Sequence, residues 1–232
     1  MEGFLLVNKP PGIPTFKLVT RVRHLTNIKK VGFSGTLDPF ASGLIIMGIG
    51  RQYTKQLDHF HNYPKHYRTT LVLGMETDTL DAYGTVTKTS QNDPTITTSN
   101  DHITTCLKQF IGKQEQIPPQ FSAKKKDGIP HYKLARQGIQ QTLKPIHIDI
   151  YSLILCHITT LTLPQITLEV TCSKGTYIRS LVRDIGHHLN SSAYTKSLTR
   201  LQIGPYTLEN ALDLSQLTAD NIETMAFKEI QP

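Results

Sequence analysis

The chain has no tryptophan and only three cysteines among its 232 residues. Cys106, Cys156 and Cys172 are odd in number and widely spaced, and no C-x-x-C pattern occurs, so the sequence supports neither a disulfide framework nor a zinc knuckle. This cysteine usage fits a reducing compartment, and we expect a cytoplasmic protein. Without tryptophan, any stacking on a ligand must use the 9 Tyr, the 8 Phe, His or Arg.

Several functional classes lack their sequence signals here. No uninterrupted apolar run approaches the length of a membrane span. The first residues lack the basic segment and the longer apolar stretch of a signal peptide. The sequence contains no dinucleotide-binding fingerprint, no P-loop and no His/Cys cluster with metal-ligand spacing. We therefore expect no cofactor, no metal and no membrane partner.

Positive charge exceeds negative charge along the chain. The sequence has 25 Lys and Arg against 18 Asp and Glu, which gives a formal charge of +7 and suggests a polyanionic partner. Apolar residues recur at helical spacing over residues 15–28, and Thr15 is a plausible N-cap for that helix. The opposite face carries basic residues that form either a solvated surface or a phosphate contact, namely Lys17, Arg21, Arg23 and Lys29.

The most informative segment is a glycine-bounded turn that holds one acidic side chain, Asp38. Gly35 and Gly43 permit backbone conformations that are closed to other residues. Pro39 fixes its own φ and biases Asp38 towards an extended conformation. An apolar run follows at residues 44–49, so the carboxylate is predicted to stand at the end of a buried strand, on a rigid loop suited to catalysis. The alternative is an Asx-type turn in which Asp38 bonds only its own backbone.

The predicted elements indicate an α+β fold. Strands are predicted at residues 4–7, 44–49, 66–73, 146–158 and 165–172. Helices are predicted at residues 15–28, 53–60, 102–111, 131–137 and 176–189, and residues 117–128 are predicted to be a basic loop. Because the connections between these strands and helices vary, we expect an α+β domain with a mainly antiparallel mixed sheet and flanking helices.

Five segments, taken in order, resemble the motifs of the TruB family, the synthases that convert uridine 55 in the T-loop of tRNA to pseudouridine. The segment GTLDPFASGL resembles the catalytic motif. The other four are LLVNKPPGIP, HYRTTLVLGMETDTLDAYG, IPPQFSAKKKDGIPHYKLARQG and CSKGTYIRSLVRDIG. Together they cover most of residues 3–206. The resemblance implies the pseudouridine synthase fold, an isomerase, and tRNA bound through its T-arm.

The resemblance also implies catalytic roles. Asp38 matches the nucleophile, which must be ionised, and a nearby cation favours that form. Arg179 matches the family arginine, Asp81 matches an aspartate that positions it, and Tyr67 matches a tyrosine that stacks on the target base and is a candidate for taking up the C5 proton. From the residues alone, each has an ordinary structural interpretation: Arg179 is a surface residue of a helix, Asp81 belongs to a loop turn, and Tyr67 is a core residue of a strand. Whether Asp38 adds to C1′ or promotes a glycal stays open.

Further positions match residues that line the uracil pocket or grip RNA. Tyr177 and Leu198 match pocket positions and otherwise read as core residues. Phe33 stands where most family members carry a histidine associated with the flipped-out loop, so it keeps a stacking role but cannot donate a hydrogen bond. The predicted RNA-binding residues lie in the opening motif and in a basic thumb-like insertion at about residues 117–145, namely Lys9, Lys124, Lys125, Lys126, His131, Lys133 and Arg136.

We expect a catalytic domain over residues 1–208, a short tail over residues 209–232 with no C-terminal PUA domain, and a monomer. A non-catalytic RNA-binding or tRNA-folding module with the same fold is the main alternative. A hydrolase with an aspartate nucleophile is suggested by Asp38 alone, although the sequence has no recognisable partner acid or metal site for it.

Overall fold

The computed structural model describes residues 1–90, 99–122, 125–126, 128–139, 141–160 and 162–230. The strands are β1 (Gly3–Lys9), β2 (Val31–Ser34), β3 (Ser42–Ile49), β4 (Lys65–Leu73), β5 (Met75–Thr77), β6 (Val86–Thr89), β7 (Gly112–Gln116), β8 (Lys125–Lys126), β9 (Ile129–Pro130), β10 (Ile146–Thr159), β11 (Gln165–Cys172), β12 (Ala193–Ile203), β13 (Tyr206–Thr207) and β14 (Leu212–Asp213). The helices are α1 (Phe16–Thr26), α2 (Arg51–Thr54), α3 (Asn100–Lys108), α4 (His131–Arg136), α5 (Ile178–His188) and α6 (Ala219–Met225). Short 3₁₀ turns occupy Leu57–His61, Leu208–Asn210 and Leu214–Gln216.

The chain forms two units. The first comprises residues 1–68 and 198–232, and the second comprises residues 69–197. The chain passes between them inside two strands, β4 and β12, because each boundary falls within a strand rather than in a loop. The predicted tail at residues 209–232 belongs to the first unit.

In the first unit, β1 lies between β3 on one side and β14 on the other. It pairs antiparallel with β3, with Leu5 opposite Met47, and parallel with β14, with Val7 opposite Leu212. The outer edge of β3 pairs antiparallel with β2 and parallel with β12 at Arg200 and Gly43. The sheet is therefore mixed, as predicted.

An aromatic cluster forms the core beneath this sheet. Phe4 contacts Tyr53 and Phe60 edge-to-face, with ring centroids 5.1 and 4.9 Å apart. Phe227 stacks on Tyr206 at 5.3 Å, so the C-terminal segment supplies part of the core. Burial of aromatic rings in this geometry stabilises a domain through both area and ring–ring contact.

In the second unit, β10 pairs antiparallel with β11 and with β7. The helix α5 buries Ile178, Leu181, Val182 and Ile185, which is the apolar face that the sequence predicted. The hairpin formed by β5 and β6 precedes α3, whose Ser99 hydroxyl accepts a hydrogen bond from the backbone amide of His102 as an N-cap.

The α+β class with a mixed sheet is confirmed. Some local predictions differ from the structure, and the bounds of α1 and α5 also differ from the predicted ones by up to two residues. The segment at residues 53–60 divides into α2 and a 3₁₀ turn, α3 begins two residues earlier than predicted, and the basic loop at residues 117–128 contains β8. Short polar strands such as β8 carry no alternation of apolar residues, so the sequence could not indicate them.

Candidate active site

Asp38 lies in the first unit between β2 and β3, in a segment called the Asp38 loop below, which comprises residues 35–43 and includes the first two residues of β3. Gly35 has φ +70° and Gly43 has φ +110°, so both glycines adopt the conformations that the sequence suggested. The turn is closed by the main chain, since the Ala41 amide donates to the Asp38 carbonyl at 3.1 Å. The Asp38 carboxylate is half-buried on a loop of defined conformation.

Lys9 is buried and helps to hold the Asp38 loop in place through a hydrogen bond to its backbone. Its ammonium donates to the carbonyls of Ile13 at 2.8 Å, Pro10 at 3.0 Å and Pro39 at 3.3 Å, and its side chain has no exposed surface. Lys9 thus presents no surface to RNA here, and its contact with RNA stays a prediction. Burial lowers the pKa of Lys9 to about 8, against the opposing effect of the Asp38 charge.

Thr15 also holds the Asp38 loop and does not cap α1 with its side chain. It occupies the N-cap position, but its hydroxyl donates to the Leu37 carbonyl at 2.8 Å and accepts from the Leu37 amide at 3.1 Å. Both hydrogen-bonding groups of the residue before Asp38 are satisfied by this one side chain. Thr15 therefore occupies the predicted N-cap position, but its hydroxyl bonds a partner 22 positions away in the chain instead of the helix.

Arg200 is a site residue that the sequence did not reveal. Its guanidinium donates to the carbonyl of Leu44 at 2.7 Å and to that of Gly35 at 3.0 Å, and its side chain is 1% exposed. A Cβ at Gly43 would lie 2.3 Å from the Arg200 carbonyl oxygen, so glycine is needed for this close strand pairing. The one available signal was the alternation in β12, which places Arg200 in phase with buried Leu198.

His61 completes the set of contacts on Gly35. The Gly35 amide donates to His61 Nε2 at 3.1 Å, while its carbonyl accepts from Arg200. The imidazole is exposed beside β2, which carries half-buried Phe33. The sequence gave no signal for His61, because its partner is 26 positions away in the chain.

Tyr67 and Leu198 are the other predicted site residues of the first unit. Tyr67 is 9% exposed and lies on the inward-facing side of β4, together with Lys65. Leu198 is buried in β12. Stacking on a uracil and contact with its edge stay predictions for these two residues.

In the second unit, Asp81 and Arg179 form a buried ion pair. Arg179 Nη1 lies 3.6 Å from Asp81 Oδ2, and the Arg179 side chain is 4% exposed. Arg179 also donates to the carbonyl of Thr79 at 2.6 Å and to that of Phe121 at 2.8 Å. Asp81 Oδ1 accepts from the Thr79 hydroxyl at 2.8 Å and from the Tyr83 amide at 3.0 Å. The pairing follows the predicted positioning arrangement, and its catalytic role stays a prediction.

The Asp81 loop, residues 78–84, is fixed from several sides. Leu80 has φ +60°, a left-handed conformation that is costly for a leucine and needs support from its surroundings. The Thr77 hydroxyl donates to the Asp81 carbonyl at 2.7 Å, and Asp81 forms a parallel bridge with Thr195. These bonds place the Asp81 carboxylate before any substrate arrives.

Gln116 fixes the start of α5 and was not anticipated. Its side-chain amide accepts from the Tyr177 amide at 2.8 Å and donates to the Tyr177 carbonyl at 3.1 Å. Gln116 is buried, and Ile178 begins the helix immediately after Tyr177. The predicted pocket residue Tyr177 is thereby held by a two-point contact, two positions before Arg179.

The thumb-like insertion is described in part. Lys124 lies outside the described residues, and Lys125 and Lys126 form β8, which pairs with β9. Lys133 and Arg136 are exposed on α4. His131 is buried at the first position of that helix, so the structure does not present it to RNA as predicted.

The described residues provide neither a metal-binding cluster nor a membrane-spanning helix. No group of three or more His, Cys, Asp or Glu side chains in this part of the chain could hold a metal ion. Within the same residues, no helix is both long enough and apolar enough to cross a membrane.

Solved structures share this fold. A Cbf5-Nop10-Gar1 complex matches with a TM-score of 0.70 at 25% identity, over 94% of this chain and 54% of that one. An H/ACA RNP bound to a substrate RNA containing 2′-deoxyuridine matches with a TM-score of 0.67 at 22% identity, over 94% and 52%. This chain thus spans about half the length of those chains. The fold is that of the pseudouridine synthases.

Sequence comparison identifies the particular family. The model of the TruB family pseudouridylate synthase N-terminal domain matches residues 23–178. The tRNA pseudouridine synthase B of Protochlamydia amoebophila is 41% identical over 96% of this chain and 82% of its own length. That of Clostridium perfringens strain 13 is 41% identical over 96% and 74%. The chain belongs to the TruB family.

Proposed function

We propose that this protein isomerises uridine to pseudouridine in the T-loop of tRNA. The observation that carries the proposal is Asp38, which is placed on a loop braced through the backbone of Gly35, Leu37 and Pro39. Membership of the TruB family and relatives named tRNA pseudouridine synthase B support the activity. A fixed loop suits a group that must meet one atom of a bound nucleotide.

The reaction breaks the C1′–N1 bond of uridine and forms a C1′–C5 bond. The uracil turns while it is held, N1 gains a proton, and the hydrogen at C5 leaves as a proton, so no atoms are gained or lost overall. A carboxylate serves such glycosidic chemistry as a nucleophile or as a charge stabiliser. Asp38 is assigned this role, either by adding to C1′ or by promoting a glycal.

The remaining predicted residues have supporting roles in the proposal. Arg179, oriented by Asp81, is assigned the role of the family arginine. Tyr67 stacks on the uracil and takes up the C5 proton, and Tyr177 and Leu198 border the base. Since each of the last three is partly or fully buried, each is suited to a base that has left solvent.

The target base must leave the stacked T-loop, which costs a few kcal/mol. Phe33 is proposed to wedge against the RNA in place of a histidine. Lys124, Lys125, Lys126, Lys133 and Arg136 are proposed to hold the T-arm, with their charges offsetting those of phosphates.

The RNA partner, the oligomeric state and the cellular compartment are also proposed. The protein binds the T-arm of tRNA, acts as a monomer and works in the cytoplasm. Cys106, Cys156 and Cys172 form no disulfide among the described residues, which is consistent with a reducing compartment. Light scattering of the purified protein, with and without tRNA, tests the monomer.

The deciding experiment is release of tritium from tRNA labelled at C5 of uridine. The wild type is expected to release tritium, and Asp38→Asn is expected to release none while it keeps its affinity for tRNA. Release by both proteins would remove Asp38 from the mechanism. Release by neither, with tight binding retained, would favour a non-catalytic tRNA-folding module, and cleavage to free uracil would favour a hydrolase.

A further inference from the structure

Positive charge is concentrated in the first unit near its start. Residues 3–37 contain no Asp or Glu and carry six Lys and Arg residues. Lys9 is buried in the Asp38 loop, and the other five lie on exposed positions in α1 and the turn after it, namely Lys17, Arg21, Arg23, Lys29 and Lys30. This surface, together with Phe16 and His24, is called the α1 basic face below.

The exposed side of α1 forms two adjacent ridges. Lys17, Arg21 and His24 follow one another at helical spacing along the first ridge. On the second ridge the Arg23 guanidinium lies 5.9 Å from the ring centroid of Phe16, which is 59% exposed. An exposed aromatic ring beside arginine suits the faces of nucleotide bases better than it suits water.

The arginines of this face are held by backbone carbonyls rather than by carboxylates. Arg21 donates to the Leu217 carbonyl and Arg23 to the Val31 carbonyl, each at 3.3 Å. No ion pair in the described part of the chain involves α1 or the turn after it. The side chains are therefore oriented while their charge stays uncompensated, which favours an anionic partner.

The Glu2 carboxylate lies beside Gly50, whose amide donates to the Lys30 carbonyl, and the acidic helix α6 packs against α1. The α6 helix carries Asp220 and Glu223, and Glu223 already pairs with the N-terminal ammonium of Met1 at 3.4 Å. These carboxylates border the face, and the two basic ridges themselves contain no Asp or Glu.

The face begins beside the proposed catalytic residue. Thr15 bonds both backbone groups of Leu37, which precedes Asp38, and Phe16 is the next residue along the chain. α1 extends about 16 Å from that point, because each helical residue rises about 1.5 Å. An RNA that delivers a uridine to Asp38 has its neighbouring nucleotides within reach of this surface.

We propose that the α1 basic face is a second RNA-binding surface, which holds the phosphate backbone of the tRNA T-arm beside the target loop. The inference rests on the proposed function for its substrate. It concerns a surface separate from the thumb-like insertion.

The test measures tRNA affinity over a range of salt concentrations. The fold-sparing variant Lys17→Gln/Lys29→Gln/Lys30→Gln changes three exposed side chains that make no hydrogen bond or ion pair within the described residues. Its dissociation constant should rise about tenfold or more at about 0.1 M salt, and the slope of log affinity against log salt should shrink by about 2–3. A second variant, Lys17→Gln/Arg21→Gln/Arg23→Gln, should show at least the same change, with thermal unfolding measured alongside.

The matched control removes three exposed lysines elsewhere, Lys55→Gln/Lys108→Gln/Lys228→Gln, and so changes net charge equally. Binding by the α1 variants equal to that of this control overturns the proposal. The assignment to the T-arm is overturned if the α1 variants lose affinity for whole tRNA but not for an isolated T-arm stem-loop. Tritium release is measured separately, and its absence in the wild type counts against the proposed function. The affinity of the α1 variants for tRNA still tests whether the α1 basic face binds RNA.

Discussion

The Asp38 loop in the first unit and the Asp81 loop in the second unit both present an aspartate, but they are held in different ways. Around Asp38, the side chains of Lys9, Thr15 and Arg200 bond the main chain of the loop. At the Asp81 loop, the aspartate side chain is itself the anchor. It accepts from a hydroxyl and an amide and pairs with Arg179.

The difference indicates a division of labour. A loop braced through its backbone is fixed whatever the protonation or covalent state of its carboxylate, which suits a group that reacts. A carboxylate that is held by three partners is suited to keeping an arginine in one orientation. It is not suited to a reaction step in which it would have to move away from that arginine. Substitution of the two aspartates should therefore have different consequences: Asp38→Asn should abolish turnover with a small change in stability, and Asp81→Asn should lower stability.

The largest loss of stability expected from any single substitution is at Gly43, where the Asp38 loop meets the Arg200 backbone. Gly43→Ala places a Cβ against the Arg200 backbone at a residue with φ +110°, and we expect a loss on the order of 5 kcal/mol, or no folded protein. Gly138→Ala is the control, because Gly138 has φ +76° and open space around it, so only backbone strain of about 1–2 kcal/mol applies. Denaturant unfolding of both variants measures the difference. Equal losses would mean that the strand contact at Gly43 is not what fixes the loop.

The Asp81 loop should show the next largest effect. Asp81→Asn leaves the buried Arg179 guanidinium without its counter-charge, and we expect a loss of roughly 3–4 kcal/mol. Asp78→Asn in the same loop is the control, since Asp78 is exposed and should lose well under 1 kcal/mol. A double-mutant cycle with Arg179→Met should give a coupling energy that is absent for Asp78. Additive effects of Asp81→Asn and Arg179→Met would contradict the pairing.

The smallest expected effect is the pH dependence contributed by Lys9. Its pKa is about 8 in the folded protein and 10.5 in the unfolded chain, so between these values the unfolded chain binds a proton that the folded protein does not. Stability should then rise with pH across that window, by up to about 3 kcal/mol. The quantity to measure is the free energy of unfolding of the wild type relative to Lys9→Met between pH 7.5 and 10.5. A difference that falls or stays flat with pH would show that burial does not penalise the charged ammonium.

Much of the fold was predictable from local pattern. Apolar periodicity predicted α5 and its buried face, and alternation together with turn residues predicted β3, β4, β10 and β11. Predictions were incomplete where a polar side chain has a partner far along the chain. Lys9 was assigned to RNA and Thr15 to the N-cap of α1, and neither assignment indicated that both side chains bond the Asp38 loop. Sequence spacing gives no information about which distant carbonyl a buried donor will meet.

The sequence by itself determined the α+β class, the TruB resemblance, the positive charge and the backbone conformations at Gly35 and Gly43. These properties depend on composition, periodicity and the freedom of single residues. The tertiary structure alone decided that Arg200, His61 and Gln116 hold the segments that carry the candidate site residues. The physical reason is that a buried polar group must find a hydrogen-bonding partner, and the partner is chosen by packing rather than by distance in the sequence.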